Sequence, residues 1–143
     1  MLKGIDPIVS PELLSILAEM GHGDELAIVD ANFPAVTMAR RLVRISASAP
    51  RVLKAVLTLM PLDDFVDSPV TVMEVVGASE TIPEPVKEFR AAVTASEGKP
   101  VKVSSVERFA FYDRSKAAFA VVSTGETRLY GCVLVKKGVI RPE

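Results

Sequence analysis

The chain has 143 residues, 49% hydrophobic and 24% charged, with 17 Lys and Arg against 18 Asp and Glu for a net charge of −1. That length suits one compact domain over residues 1–143, able to bury roughly 68 to 70% of its unfolded surface without disulfides or a structural metal. A single Cys, Cys132, and a single His, His22, exclude an intrachain disulfide and a Cys/His zinc site, and the balanced charge argues against nucleic acid or an anionic membrane as partner.

The opening Met1-Leu2-Lys3-Gly4-Ile5-Asp6-Pro7 has no apolar run of signal-peptide length, and no uncharged stretch exceeds nine residues, so a cytoplasmic protein without a membrane span is expected. A mean hydropathy of +0.32 without Trp hints that sister subunits cover some apolar surface. Ser10-Pro11-Glu12 supplies the N-cap, first-position Pro and first-turn acid of a helix whose apolar face is Leu13, Ile16, Leu17 and Met20, stopped at Gly21. Leu26 to Val29 then reads as a strand buried on both faces, ending at Asp30, and Ala31 to Pro34 as a loop.

Further on, Pro50 to Met60 spaces Val52, Leu53, Val56, Leu57 and Met60 as an amphipathic helix. Val70 to Val76 is β-branched and predicts a strand, and Pro83 and Pro85 introduce a helix with Val86, Phe89 and Val93 on one side, closed by Gly98 and Pro100. Ser104 and Glu107 have capping-box spacing before a helix running to about Lys116. Phe119 to Ser123 predicts a strand, Gly125 a turn, and Arg128 to Val135 an alternating strand with Arg128, Tyr130, Cys132 and Leu134 on one face. The interleaving predicts an α/β sandwich: a mixed sheet flanked by helices, with a C-terminal hairpin.

Among residues able to carry chemistry, His22 lies between two glycines at a helix-to-strand junction, where an imidazole can face a cavity or cap the helix's last carbonyls. Asp30, at a strand's C-terminal end, can accept from a sugar hydroxyl or orient an imidazole, or close an Asx turn with Asn32. Arg108 and Tyr112 share a helix face, and Tyr130 and Cys132 a strand face. Asp63 and Asp64 read as a solvated loop pair, either of which could serve as a base, and Arg40, Arg41, Arg44, Arg51 and Lys54 as a solvated or inter-subunit surface. There is no dinucleotide-binding glycine motif, phosphate loop or nucleophile elbow.

Three longer blocks carry a resemblance. Ser10 to Leu14, Leu17 to Glu25 and Asp30-Ala31-Asn32-Phe33-Pro34 resemble the N-terminal signature of the L-fucose mutarotase family, relatives of D-ribose pyranase. Arg108-Phe109-Ala110-Phe111-Tyr112, Lys116 to Ala120, Thr124-Gly125-Glu126-Thr127, Leu129-Tyr130-Gly131 and Lys136 to Val139 resemble its second signature, and the Asn32-Phe33-Pro34 and Arg108 to Tyr112 blocks favour the fucose branch. The resemblance implies a ribose-pyranase-like fold and an isomerase that interconverts anomers, and pyranose and furanose rings as a further activity, of L-fucose or a related aldose without metal or organic cofactor. It implies a ring-shaped homo-oligomer, with a decamer as the candidate size, and sites near subunit boundaries. His22 would be the general acid, and Asp63 and Tyr112 further members of the proton-transfer apparatus. Asp30, Met73, Arg108, Tyr130 and Cys132 would contact the sugar.

The chain departs from the family pattern at Cys132, where Asn is usual, and at Ser46-Ala47, where Asp-Gly is usual. Two alternatives therefore stand beside the mutarotase: a D-ribose pyranase-like isomerase, and a non-catalytic monosaccharide-binding or transport-associated protein that keeps the pocket.

Overall fold

The computed structural model describes residues 1–143. Its elements in chain order are α1 (Pro11–Glu19), β1 (Glu25–Val29), α2 (Ala35–Met38), β2 (Leu42–Ile45), α3 (Ala49–Leu57), β3 (Val70–Met73), α4 (Glu84–Glu97), β4 (Val103–Val106), α5 (Arg108–Ala117), β5 (Ala120–Thr124) and β6 (Val133–Lys136). All six strands join one mixed sheet in the order β2-β5-β1-β6-β3-β4. β1 runs parallel to β5, β5 to β2, and β3 to β4, while β6 lies antiparallel between β1 and β3.

Alternation along each strand sends side chains to two cores. Leu26, Ile28, Val70, Val72, Val133 and Val135 face α1, α3 and α4, where Leu13, Leu53, Val56 and Phe89 complete the larger core. Ala27, Val29, Met73, Val121 and Leu134 face α2 and α5, packing with Phe33, Ala35 and Phe111 in a smaller one. The helices begin where the chain's own chemistry starts them: Ser10 and Ser48 accept from the N–H groups of Leu13 and Arg51, and each is followed by a Pro in the first turn.

Four local expectations are corrected. Ser104 caps no helix: it pairs with Thr71 inside β4, and Glu107 alone is the N-cap of α5, accepting from the N–H groups of Phe109 and Ala110. β5 and β6 form no hairpin, because β1 lies between them. The strand expected from Arg128 begins only at Val133, since Tyr130 has φ = 60°, a left-handed turn that breaks the pleat, although Cys132 and Leu134 do share the predicted face. The strand expected over Val70 to Val76 stops at Met73, and β2 and β4, four residues each, are too short to be read from local pattern.

The topology has one result that matters for function. β1 to β5 all point the same way, so their C-terminal ends share one edge of the sheet, and the lone antiparallel β6 delivers the segment before it to that same edge.

Candidate active site

The carbohydrate-facing residues expected from the sequence fall into two groups at opposite edges. β1 is five residues long, about 17 Å, and His22 precedes it while Asp30 follows it. One chain therefore does not bring His22 and Asp30 together.

At the first edge, the Gly21-His22-Gly23 turn is pinned on both sides. Asp24 accepts from Gly21 N–H at 2.7 Å, and Gly23 N–H donates to the Lys137 carbonyl at 2.8 Å. Lys137 Nζ donates to the Leu17 and Met20 carbonyls, so the capping of α1's last turn, one of the two roles open to His22, belongs to a lysine. The chain returns past the end of β6: Asp63 N–H donates to the Lys136 carbonyl, and Gly138 lies so near the Leu62 carbonyl that a Cβ there would be 2.5 Å from its oxygen. Asp63 is thereby set against His22, with Nε2 to Oδ1 at 3.0 Å.

Asp63 is 3% exposed, so it is no solvated loop residue, whereas Asp64 pairs at the surface with Arg141. Burial pushes the Asp63 carboxyl up, but the bonds from His22 and the Phe65 N–H and the nearby Lys136 charge outweigh it and hold the group below the usual carboxylate range. An ionised carboxylate only accepts, so the His22 proton sits on Nε2 and Nδ1 is the nitrogen left to gain or lose one. The imidazole remains 44% exposed, with the Phe65 ring 5.1 Å away, an aromatic neighbour that spacing alone did not single out.

At the opposite edge Asp30 is buried and bonded through both oxygens, with three of its roughly four acceptor sites filled. Its Oδ1 accepts from Asn32 N–H at 3.0 Å, the Asx turn of the alternative reading, and its Oδ2 accepts from Gly131 N–H at 3.2 Å and from the Cys132 thiol at 3.4 Å. Burial and the Asp30 charge push the Cys132 thiol well above its usual range, so it stays a protonated donor. Tyr130, turned by its left-handed backbone, accepts from the Val76 N–H at 3.1 Å. Arg108 donates from Nε to the Tyr112 hydroxyl at 2.9 Å, as their shared helix face predicts. The Tyr112 ring packs edge-on against Phe33 and Phe109. Arg108 also lines a cavity of about 300 Å³ with Glu74, Val76, Glu107 and Phe109, and Met73, the last residue of β3, is buried in the smaller core.

Both phenols are thus engaged as acceptors by groups that can only donate, a backbone N–H and a guanidinium. Each keeps its own proton for a ligand oxygen. No group of three or more His, Cys, Asp or Glu is arranged to hold a metal ion, and no helix is long and apolar enough to cross a membrane.

Residues 3–140 match the model of the RbsD / FucU transport protein family. The chain belongs to that family. It is 45% identical over 140 residues to the L-fucose mutarotase of Actinobacillus pleuropneumoniae, covering 97% of both chains, and 46% identical over 149 residues to the fucose mutarotase of Danio rerio, covering 100% and 97%. The crystal structure of a Streptococcus pneumoniae fucose mutarotase in complex with L-fucose is similar over 98% of this chain and 100% of that one, with a TM-score of 0.92 and 41% identity. The family's mixed six-stranded sheet flanked by five helices is the sandwich that the motif resemblance implied.

Proposed function

We propose that this protein is an isomerase of the L-fucose mutarotase type, and that its active site is assembled across a subunit boundary from the His22 edge of one copy and the Asp30 edge of the next. The protein interconverts the anomers of L-fucose by opening and reclosing the hemiacetal ring. The imidazolium of His22 gives the Nδ1 proton to the ring oxygen as the bond from the anomeric carbon to that oxygen breaks. The anomeric hydroxyl loses its proton and becomes the carbonyl of the open chain. Tyr112, held by Arg108, takes that proton on its free lone pair as its own phenolic proton passes to solvent, and Asp63 stabilises the imidazolium before it donates. Rotation about the C1–C2 bond and closure on the other face reverses both transfers and yields the second anomer, with no net proton consumed.

Asp30, Arg108, Tyr130 and Met73 orient the sugar, and Cys132 supplies a thiol to Asp30 where an amide would both donate and accept. The observation that carries the reading is the buried Asp63 fixing the only histidine, its free nitrogen open to solvent.

Exposed apolar side chains support the assembly. Phe65 borders His22, and Val76, Phe109 and Leu129 border the other half-site, all more than 60% exposed in the single chain. Contact between two different edges is head-to-tail and closes a ring when its rotation allows. The same assembly accommodates a decamer and a cytoplasmic location.

The test is saturation transfer between the two anomeric proton signals of L-fucose, with D-ribose and D-galactose alongside. Transfer should rise with wild-type protein, most for L-fucose, and fall by about 10²-fold or more in His22→Ala. Sugar-dependent thermal stabilisation without exchange would replace the isomerase with a monosaccharide-binding protein.

A further inference from the structure

One buried carboxylate at the Asp30 edge has no place in the proton transfers. Glu126 is 3% exposed, yet it lies two residues past the end of β5, in a turn whose only evident task is to connect strands. Its carboxylate is gripped by one residue, Arg128: Oε1 accepts from the Arg128 main-chain N–H at 3.0 Å and from Nε at 2.8 Å, and Oε2 accepts from Nη2 at 3.0 Å. These bonds outweigh burial and hold the Glu126 carboxyl below its usual range, with the Ala49 N–H at the start of α3 adding to them. Arg128 also reaches Glu88 on α4. The segment is therefore tied to α4 through Glu88 and, by the Gly125 N–H donating to the Ala47 carbonyl at 2.8 Å, to the chain just before α3.

Glu126 touches the sugar-facing loops from both directions. Its carbonyl accepts from the N–H of Ala31, the residue after Asp30, at 2.8 Å. Its own N–H donates to Thr124 Oγ1, whose hydroxyl donates to the Val29 carbonyl, the residue before Asp30. Its side chain lies against Gly131: a Cβ built there would meet Glu126 Cγ at 2.6 Å and Asp30 Cβ at 3.4 Å. Gly131 in turn donates its N–H to Asp30 Oδ2, and the left-handed Tyr130 stands between that glycine and the chelated Arg128. The Glu126–Arg128 clamp and the Asp30–Gly131 bond are the two ends of one short loop, with Tyr130 held between them.

We infer that Glu126, clamped by Arg128, is a positioning residue that sets Asp30, Gly131 and Tyr130 for the sugar without touching it. The inference rests on Asp30 being a sugar ligand. Loss of the clamp loosens the sugar's orienting contacts but leaves His22 and Tyr112 in place, so substrate affinity suffers more than turnover.

The experiment measures KM and kcat for L-fucose exchange, with the melting temperature of the same samples, in Glu126→Gln, Arg128→Lys, Asp30→Asn and the Glu126→Gln/Asp30→Asn pair. Glu126→Gln should raise KM about tenfold with kcat within about twofold, and Arg128→Lys, which keeps the charge but loses the fork, should raise KM in the same direction. The double variant should raise KM by less than the product of the two single factors, because part of the effect of Glu126 runs through Asp30 and the rest through Tyr130.

An unchanged KM in Glu126→Gln and Arg128→Lys, with only a lower melting temperature, would reduce the clamp to a fold element and overturn the inference. So would factors that multiply in the double variant. Should Glu126→Gln fail to fold, Arg128→Lys decides the matter by the same KM criterion. If Asp30→Asn leaves KM unchanged while wild-type exchange is normal, the sugar-ligand role of Asp30 falls and the positioning role falls with it, whereas absence of exchange in the wild type would strike the isomerase itself.

Discussion

The two edges of the sheet carry similar inventories, a buried Asp and nearby aromatic rings, but arrange them for different work. At one, Asp63 spends an oxygen on a half-exposed imidazole and leaves the second ring nitrogen free. At the other, both oxygens of Asp30 are taken by Asn32, Gly131 and Cys132, and the carboxylate is locked to main chain on two sides. The first arrangement leaves a proton site able to change state. The second keeps a geometry. The difference teaches that a carboxylate's role follows from how many of its lone pairs the protein itself occupies, more than from its burial, which is nearly equal at 3% and 5% exposure.

That contrast can be broken from either side. Asp63→Asn should have the larger effect, because a neutral amide neither fixes the Nε2–H tautomer nor stabilises the imidazolium. Exchange should drop by about 10²-fold or more with KM little changed, and a drop confined to KM would mean that Asp63 binds sugar instead. Gly131→Ala should act on the other edge. The new methyl would lie 2.6 Å from Glu126 Cγ, at a cost of about 1 to 3 kcal/mol in stability, read as a melting temperature lowered by several degrees with KM raised several-fold and turnover retained. A variant as stable and as tight as wild type would show that the loop has room the structure does not give it.

The smallest effect is one of pH. Because the Asp63 and Glu126 carboxyls both lie below their usual range when folded, the unfolded chain binds more protons in acid. Their contribution is fully present above the ordinary carboxylate range, about 4, and is lost as pH falls through the depressed folded values. Urea midpoints should be level from pH 7 to 5 and decline below about 4, less steeply in Asp63→Asn. A decline of equal slope in that variant would remove Asp63 from the account.

Much of this was legible in the sequence, for physical reasons that differ by residue. α1 and α3 carry their own caps and first-turn prolines, and Leu26 to Val29 is apolar enough to need burial on both faces, so these elements could be read locally. β2 and β4 could not, because each is only four residues long, β2 interrupted by the exposed Arg44 and β4 by two serines, and long-range pairing holds them in place. The hairpin expected between the last two strands failed for the same cause: adjacency in sequence suggested pairing, but the insertion of β1 between them depends on the whole sheet.

The site divides in the same way. Arg108 and Tyr112 meet because helical spacing compels it, while His22 and Asp63, 41 residues apart, meet only because the chain is led along the end of β6. Glu126 stood inside a quoted block without chemistry of its own, and its meaning came from Arg128 and Gly131 folding around it. The strand expected over Leu26 to Val29 already sets His22 and Asp30 at its two ends, and the resemblance implies sites near subunit boundaries, but no pattern in the sequence pairs His22 with Asp63.

The most direct measurement of the assembled site is complementation. His22→Ala protein, inactive alone, and Asp30→Ala protein, assayed at a sugar concentration low enough that its weakened binding leaves little exchange, are unfolded together, refolded as a mixture and assayed for L-fucose anomer exchange. If one copy's His22 works with its neighbour's Asp30, random mixing leaves about a quarter of boundaries with both wild-type halves, and about a quarter of wild-type activity should return. No recovery in mixed assemblies shown to contain both variants would contradict the shared site.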